Sequence, residues 1–270
     1  MTDQFWLWLG FAGMSAGAAL ILLTGKSKTP KEGMTTILHG IVPIIAACSY
    51  FAMATGQGSI IRPNAVPGAD PQFAFYFARY IDWLFTTPLL LTALAMTAMH
   101  TGLRRPGLLV GIIVSDVIMI VTALFFGLSA VAWIKWTWFA ISCGAFLAIY
   151  YVIWGPLRAE AERQRADVRD TFKANASILS AVWFVYPVIL LVDPEGLRWI
   201  GPTASVACIA VIDLTAKVAY GLFSTARHAK IADADVAEGA DPRTSLHDAD
   251  SAVPVGAAAR ARRPATVAVG

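Results

Sequence analysis

Seven strongly apolar runs, residues 5–23, 34–55, 71–99, 107–126, 133–154, 172–192 and 202–226, constrain this chain more than any other feature. A helix rises about 1.5 Å per residue, so each run is long enough to cross a hydrocarbon core of about 30 Å. Backbone N–H and C=O groups find no water inside a bilayer, and a single run can satisfy them only by coiling into a helix. The sequence therefore predicts an all-α membrane protein, a seven-transmembrane-helix bundle. Composition agrees: 14% of residues are charged, against about a quarter in soluble domains. Phe5 follows almost no positive leader, so the first run reads as a span and not as a cleaved signal.

The connecting segments set the orientation. Lys26, Lys28 and Lys31 fall between the first two runs, Arg104 and Arg105 between the third and fourth, and Arg158, Arg163, Arg165 and Arg169 between the fifth and sixth. Arg227 and Lys230 follow the seventh, whereas the alternate segments hold only Arg62, Lys135 and Arg198. The positive-inside rule places the N-terminus outside and the C-terminus in the cytoplasm of a multi-pass cell-membrane protein. A net charge of +3 without a basic patch gives no reason to expect nucleic acid. Cys48, Cys143 and Cys208 lie in separate apolar runs without metal spacing and read as buried spectators. Residues 56–70 are rich in turn formers and could make a small outward hairpin. Residues 231–270, without an aromatic, read as a disordered cytoplasmic tail behind a membrane domain over residues 1–230.

Charges inside the runs point to chemistry. Residues 202–226 carry Asp213 and Lys217, four apart and hence on one helix face. Intramembrane charges cost several kcal/mol and are usually paired and functional. A salt bridge that only locks helices is the plainer alternative. A lysine in a dry pocket has another use, because a neutral amine condenses with an aldehyde to a Schiff base. In the third run Arg79, Asp82 and Thr86 also share one face, so the charges around Lys217 must titrate as a coupled set. Trp183, Tyr186 and Pro187 of the sixth run, Tyr80 and Trp83 of the third and Tyr50 of the second lie at matching depth and suggest an aromatic pocket.

The segments RYIDWLFTTPLLL, WFVYP and DLTAK resemble those of the microbial rhodopsins, nearest to the bacteriorhodopsin-like light-driven proton pumps, and the likeness extends over all seven runs. The resemblance implies a light-driven ion transporter, not an enzyme, with all-trans retinal bound covalently to Lys217 as a protonated Schiff base. It implies that Asp82 is the primary counter-ion and proton acceptor, Asp213 the second counter-ion, and Arg79 the gate towards the outside. Tyr50, Tyr80, Trp83, Thr86, Thr87, Leu90, Met119, Ser142, Trp183, Tyr186 and Pro187 match retinal-lining positions, and Phe139 stands where many members carry tryptophan.

Two departures bear on mechanism. Ala93 stands eleven residues after Asp82, where the pumps commonly place a carboxylic cytoplasmic donor. Glu195 matches one acid of the usual release pair, but Ser205 replaces the other. Counted from the cytoplasmic ends of their runs, His39 and Ala93 both sit about 8 to 9 Å deep, so an imidazole at the donor's depth could relay protons. A hydrogen-bonded core histidine is the alternative. The expected function is an outward proton pump in contact with membrane lipid. A sensory rhodopsin signalling through a separate transducer is the alternative, and a homo-oligomer is compatible with either. A chloride pump is disfavoured by Asp82, and a transporter without retinal is the non-photochemical reading.

Overall fold

In a computed structural model the chain is described over residues 2–62 and 73–239. Among the described residues, seven helices are long and apolar enough to cross a membrane: α1 (Asp3–Thr24), α2 (Pro30–Ala54), α3 (Ala78–Ala98), α4 (Pro106–Leu128), α5 (Ala132–Ala161), α6 (Ala166–Val192) and α7 (Pro202–Ala237). Local chemistry starts α2 clearly: the Thr29 hydroxyl accepts the Glu32 N–H at 3.2 Å, and Pro30 occupies the first turn, where no donor is needed. Successive helices pack side by side, and α7 returns to close the ring against α1, α2 and α6. Apolar side chains such as Val110, Leu147 and Phe184 point outward from the bundle, the face a bilayer covers. The protein is a multi-pass membrane protein.

The helix ends depart from the apolar runs in instructive ways. The third run was expected to start at residue 71, but Phe73–Phe75 form strand β2, antiparallel to β1 (Ile60–Arg62), with Ile60 opposite Phe75. A hairpin therefore exists, with its second strand displaced towards α3. An apolar aromatic run does not by itself distinguish strand from helix. Its connecting residues lie outside the described ones.

At the opposite end α5, α6 and α7 extend beyond their apolar runs. The helix expected to give way to a tail at residue 231 continues to Ala237 because Ile231 and Ala232 are buried and Asp235 pairs with Arg165 at 2.9 Å. The rest of the expected tail lies outside the described residues. Cys48 and Cys208 are exposed on the bundle's flank and not buried, since a lipid-facing position is as apolar as a core.

Two helices widen by a π turn, α5 at Ile153–Leu157 and α7 at Thr215–Ala219. The second contains Lys217. Single π turns inside α-helices recur at functional sites.

Candidate functional site

α3 and α7 bring three charges together inside the bundle. Lys217 Nζ lies 2.5 Å from Asp82 Oδ2 and 3.1 Å from Asp213 Oδ1, and all three residues are at most 2% exposed. The two carboxylates are not equivalent. Asp213 also accepts from the Tyr50 hydroxyl at 2.8 Å, the Tyr186 hydroxyl at 2.7 Å and the Trp83 indole N–H at 3.2 Å. Asp82 keeps Oδ1 without a hydrogen-bond partner. Its neighbour Thr86 turns its own hydroxyl to the Asp82 carbonyl at 2.8 Å. A carboxylate held by four donors is a fixed anion in geometry, whereas one with a free oxygen has room for a proton.

A mostly apolar cavity runs from the Lys217 amine between α3, α4, α5 and α6. Its apolar, aromatic wall with one amine at the end suits an apolar ligand. Of the expected lining, Trp83, Thr87, Leu90, Met119, Phe139, Ser142, Trp183, Tyr186 and Pro187 form its wall. Trp83 and Tyr186 meet edge to face at 5.2 Å. Tyr50 and Tyr80 stand off this wall: Tyr50 serves Asp213, and Tyr80 donates to Glu195 Oε2 at 2.5 Å. The sequence did not single out Ile120, Ala123, Cys143, Phe146, Leu190 and Ala216, which complete the wall. Nor did it assign a role to Asp116, buried on α4, which accepts the Thr87 hydroxyl at 2.7 Å.

On the hairpin side of Lys217, Arg79 is buried with its guanidinium over the Tyr76 ring at 5.8 Å. It lines a small cavity with Glu195, Ser205 and Asp193. Asp193 carries no signal in the sequence, because its partners come from the fold of a turn and from Ser205. Its Oδ1 accepts the N–H groups of Glu195 and Gly196 at 2.8 and 3.0 Å, and its Oδ2 accepts the Ser205 hydroxyl at 3.3 Å. Burial and the neighbouring Glu195 push the Asp193 carboxyl up to about 8, with Arg79 opposing the shift. Two buried acids therefore stand below Arg79 although residue 205 is a serine.

On the far side of Lys217, His39 is 1% exposed, donates its Nδ1–H to the Thr35 carbonyl at 2.9 Å, and leaves Nε2 unpartnered. It approaches α7 at Gly221, one turn beyond Lys217, where a Cβ would lie 3.6 Å from that of His39. Ala93 is buried and offers no ionisable group at its depth.

The family described as bacteriorhodopsin-like protein matches residues 1–231. The chain is 37% identical over 224 residues to a bacteriorhodopsin from a Haloterrigena species, covering 82% of this chain and 86% of that relative. Against the bacteriorhodopsin of Halobacterium salinarum, identity is 34% over 237 residues, 87% of each chain. Among solved structures, a thermophilic rhodopsin from Rubrobacter xylanophilus superposes with a TM-score of 0.77 at 33% identity, covering 86% of this chain and 98% of that one. A cyanorhodopsin from a Calothrix species gives 0.74 at 30% identity, covering 83% and 94%. On this match along nearly the whole bundle, the chain belongs to the bacteriorhodopsin-like family and is a microbial rhodopsin.

Proposed function

We propose that this protein is a light-driven outward proton pump that carries all-trans retinal on Lys217 and has no carboxylic donor on its cytoplasmic side. The observation that carries the reading is the asymmetry at Lys217: Asp82 lies 2.5 Å from the amine with a free second oxygen, while Asp213 is fully engaged. The apolar cavity ending at that amine fits retinal, with Trp83, Trp183, Tyr186 and Pro187 as its rigid walls. Joined to the Lys217 amine, retinal would supply light absorption and a protonated nitrogen held beside Asp82 and Asp213.

The chain's own residues do the rest. Asp82 takes the proton, and Asp213, held by Tyr50, Tyr186 and Trp83, keeps the site's negative charge in place. Arg79 lines one cavity with the Asp193–Glu195 pair, so its charge acts on that pair. Release on the hairpin side and uptake on the opposite side make transport outward if the lysine- and arginine-rich end faces the cytoplasm, as the positive-inside rule requires. Reprotonation passes through His39, the imidazole one turn beyond Lys217.

A second reading, a sensory rhodopsin with a separate transducer, is favoured by Ala93 alone. Light-induced pH change in cells or vesicles decides between them. Acidification of the exterior that a protonophore abolishes supports the pump, and a retinal-loaded protein that moves no protons supports the sensor.

A further inference from the structure

A cleft with polar side chains set into a largely apolar wall opens at the Lys28 end of the bundle between α2, α3 and α7. Its walls include Glu32, Thr35, Thr97, His100, His228 and Asp235. Neither the apolar pattern nor the chemistry described above gives His228 a task, since the seventh run stops short of it. It is 7% exposed, and its ring is bonded at both nitrogens: Nδ1 to the Ser224 carbonyl at 2.8 Å and Nε2 to the Thr97 hydroxyl oxygen at 2.8 Å. Thr97 in turn donates to the carbonyl of Ala93 at 2.9 Å, the residue that replaces the expected donor.

This chain of contacts accommodates two charge states. When the ring is doubly protonated, Nδ1–H donates to Ser224, Nε2–H donates to Thr97, and Thr97 donates to Ala93, so every proton has an acceptor. When the ring is neutral with its proton on Nδ1, the Thr97 hydroxyl rotates to donate to Nε2, and the Ala93 carbonyl keeps its helical bond. A rotating hydroxyl lets the site hold or surrender one proton without moving the backbone.

Position completes the argument. Lys217, Gly221, Ser224 and His228 follow spacings of four, three and four along one face of α7. Gly221 admits His39 to that face, and the Thr35 carbonyl that binds His39 belongs to a residue of the cleft wall. Glu32 is 3% exposed and leaves Oε1 unpartnered on the cleft.

We infer that this cleft is the proton-uptake vestibule and that His228 is the relay that takes a proton from it and passes it inward towards His39. The inference rests on the pump reading given above. A proton from the cleft binds Nε2 of neutral His228, and the same proton later leaves that atom for His39 Nε2 through water along Ser224 and Gly221. The charged or titratable groups facing His228 are Glu32 and Lys31 at the mouth of α2, His39 deeper on α2, His100 beyond α3, and Arg227 and Asp235 on α7 itself. Asn175 of α6 donates to Ser224 at 3.0 Å and carries no charge.

The test uses the full chain. Flash photolysis after loading with retinal compares wild type, His228→Ala and His228→Gln from pH 4 to 9. Both variants should slow reprotonation on the order of 10²-fold near neutral pH, as expected when a positioned proton carrier is lost. Wild type should level off at acid pH once His228 stays charged, while the variants keep rising with proton concentration. Millimolar imidazole should restore the variants and leave wild type unchanged. Since glutamine retains hydrogen bonding without carrying a proton, wild-type kinetics in His228→Gln would overturn the relay even if His228→Ala fails to fold. Histidine ¹⁵N NMR of the retinal-free protein supplies an arm independent of pumping. The His228 ring should gain its second proton reversibly between pH 8 and 4, with an Nε2 shift that Thr97→Val alters. A ring indifferent to both pH and Thr97→Val is structural, and the relay falls. If the wild type pumps no protons while the ring titrates as stated, the pump reading fails and the ring's role as a proton-binding site stands.

Discussion

Asp193 accepts the backbone N–H of Glu195 at 2.8 Å, so the turn leaving α6 folds two buried carboxyl groups into one site below Arg79. The serine at position 205 joins that site by donating to Asp193 at 3.3 Å. Asp193 sits at about 8 in the folded protein, against about 3.9 for an unperturbed aspartate. The folded state thus holds a proton that the unfolded chain surrenders near pH 4. The protonated residue costs nothing below that value, and stability is lost progressively as pH rises from about 4 to about 8. Thermal melts from pH 4 to 9 should show wild type losing stability over this window and Asp193→Asn losing less. Parallel curves would show that Asp193 does not hold the proton.

Gly196 closes the same turn. A Cβ there would lie 2.2 Å from the Leu191 carbonyl oxygen, which is backbone and cannot swing away. Gly196→Ala should destabilise the protein by about 1–3 kcal/mol, through strain of the kind stored in over-determined turns. Calorimetry or a denaturation series is the check, and a melting temperature equal to wild type would contradict the clash.

Lys217 is the lysine buried between two carboxylates. Lys217→Ala with added retinal should give no visible absorption band. A normal band in that variant would end the assignment of the retinal site.

Removing the charge at Asp82 removes the nearest anion from the amine and the free oxygen proposed to receive its proton. Asp82→Asn should shift absorption to longer wavelength, because the ground-state cation loses its stabilising partner, and should abolish transport. Proton pumping at the wild-type rate would place the acceptor elsewhere.

Ala93 lies one turn from Thr97 in α3, its carbonyl taking the Thr97 hydroxyl at 2.9 Å. Ala93→Asp should place a carboxyl donor on the uptake route, speed reprotonation and flatten its dependence on pH up to the donor's own titration. Flash photolysis that shows the same rate and pH dependence as wild type would mean that uptake does not pass residue 93.

The bundle and the centre of the site were legible in the sequence because both are written in local spacing. Apolar runs of membrane length announce helices, and Asp213 with Lys217, like Arg79 with Asp82, share a face by helical period alone. What stayed hidden depends on contacts across the chain. Asp193 gains its role from the fold of a turn and from Ser205, twelve residues away. β2 looked like helix because its apolar residues lack a period, and its pairing with Ile60–Arg62 is what decides the conformation. The extension of α7 carries charges that read as tail until their partners on other helices are known. His228 was discoverable in principle from the four, three, four spacing that starts at Lys217, but only after the helix is known to continue that far.

That extension has a consequence for how the protein responds to its medium. Two of its pairs with the rest of the bundle, Lys28 with Asp233 and Arg165 with Glu238, lie at the surface, with Asp233 and Glu238 57% and 60% exposed, whereas Asp235 is more sheltered. Exposed pairs of this kind contribute little to stability and are weakened by salt. The Lys217 cluster is dry and little screened. Salt should therefore act unequally along the proposed route: it should loosen the rim around the cleft and leave the buried centre nearly untouched, so that ionic strength would bear on entry more than on the chemistry.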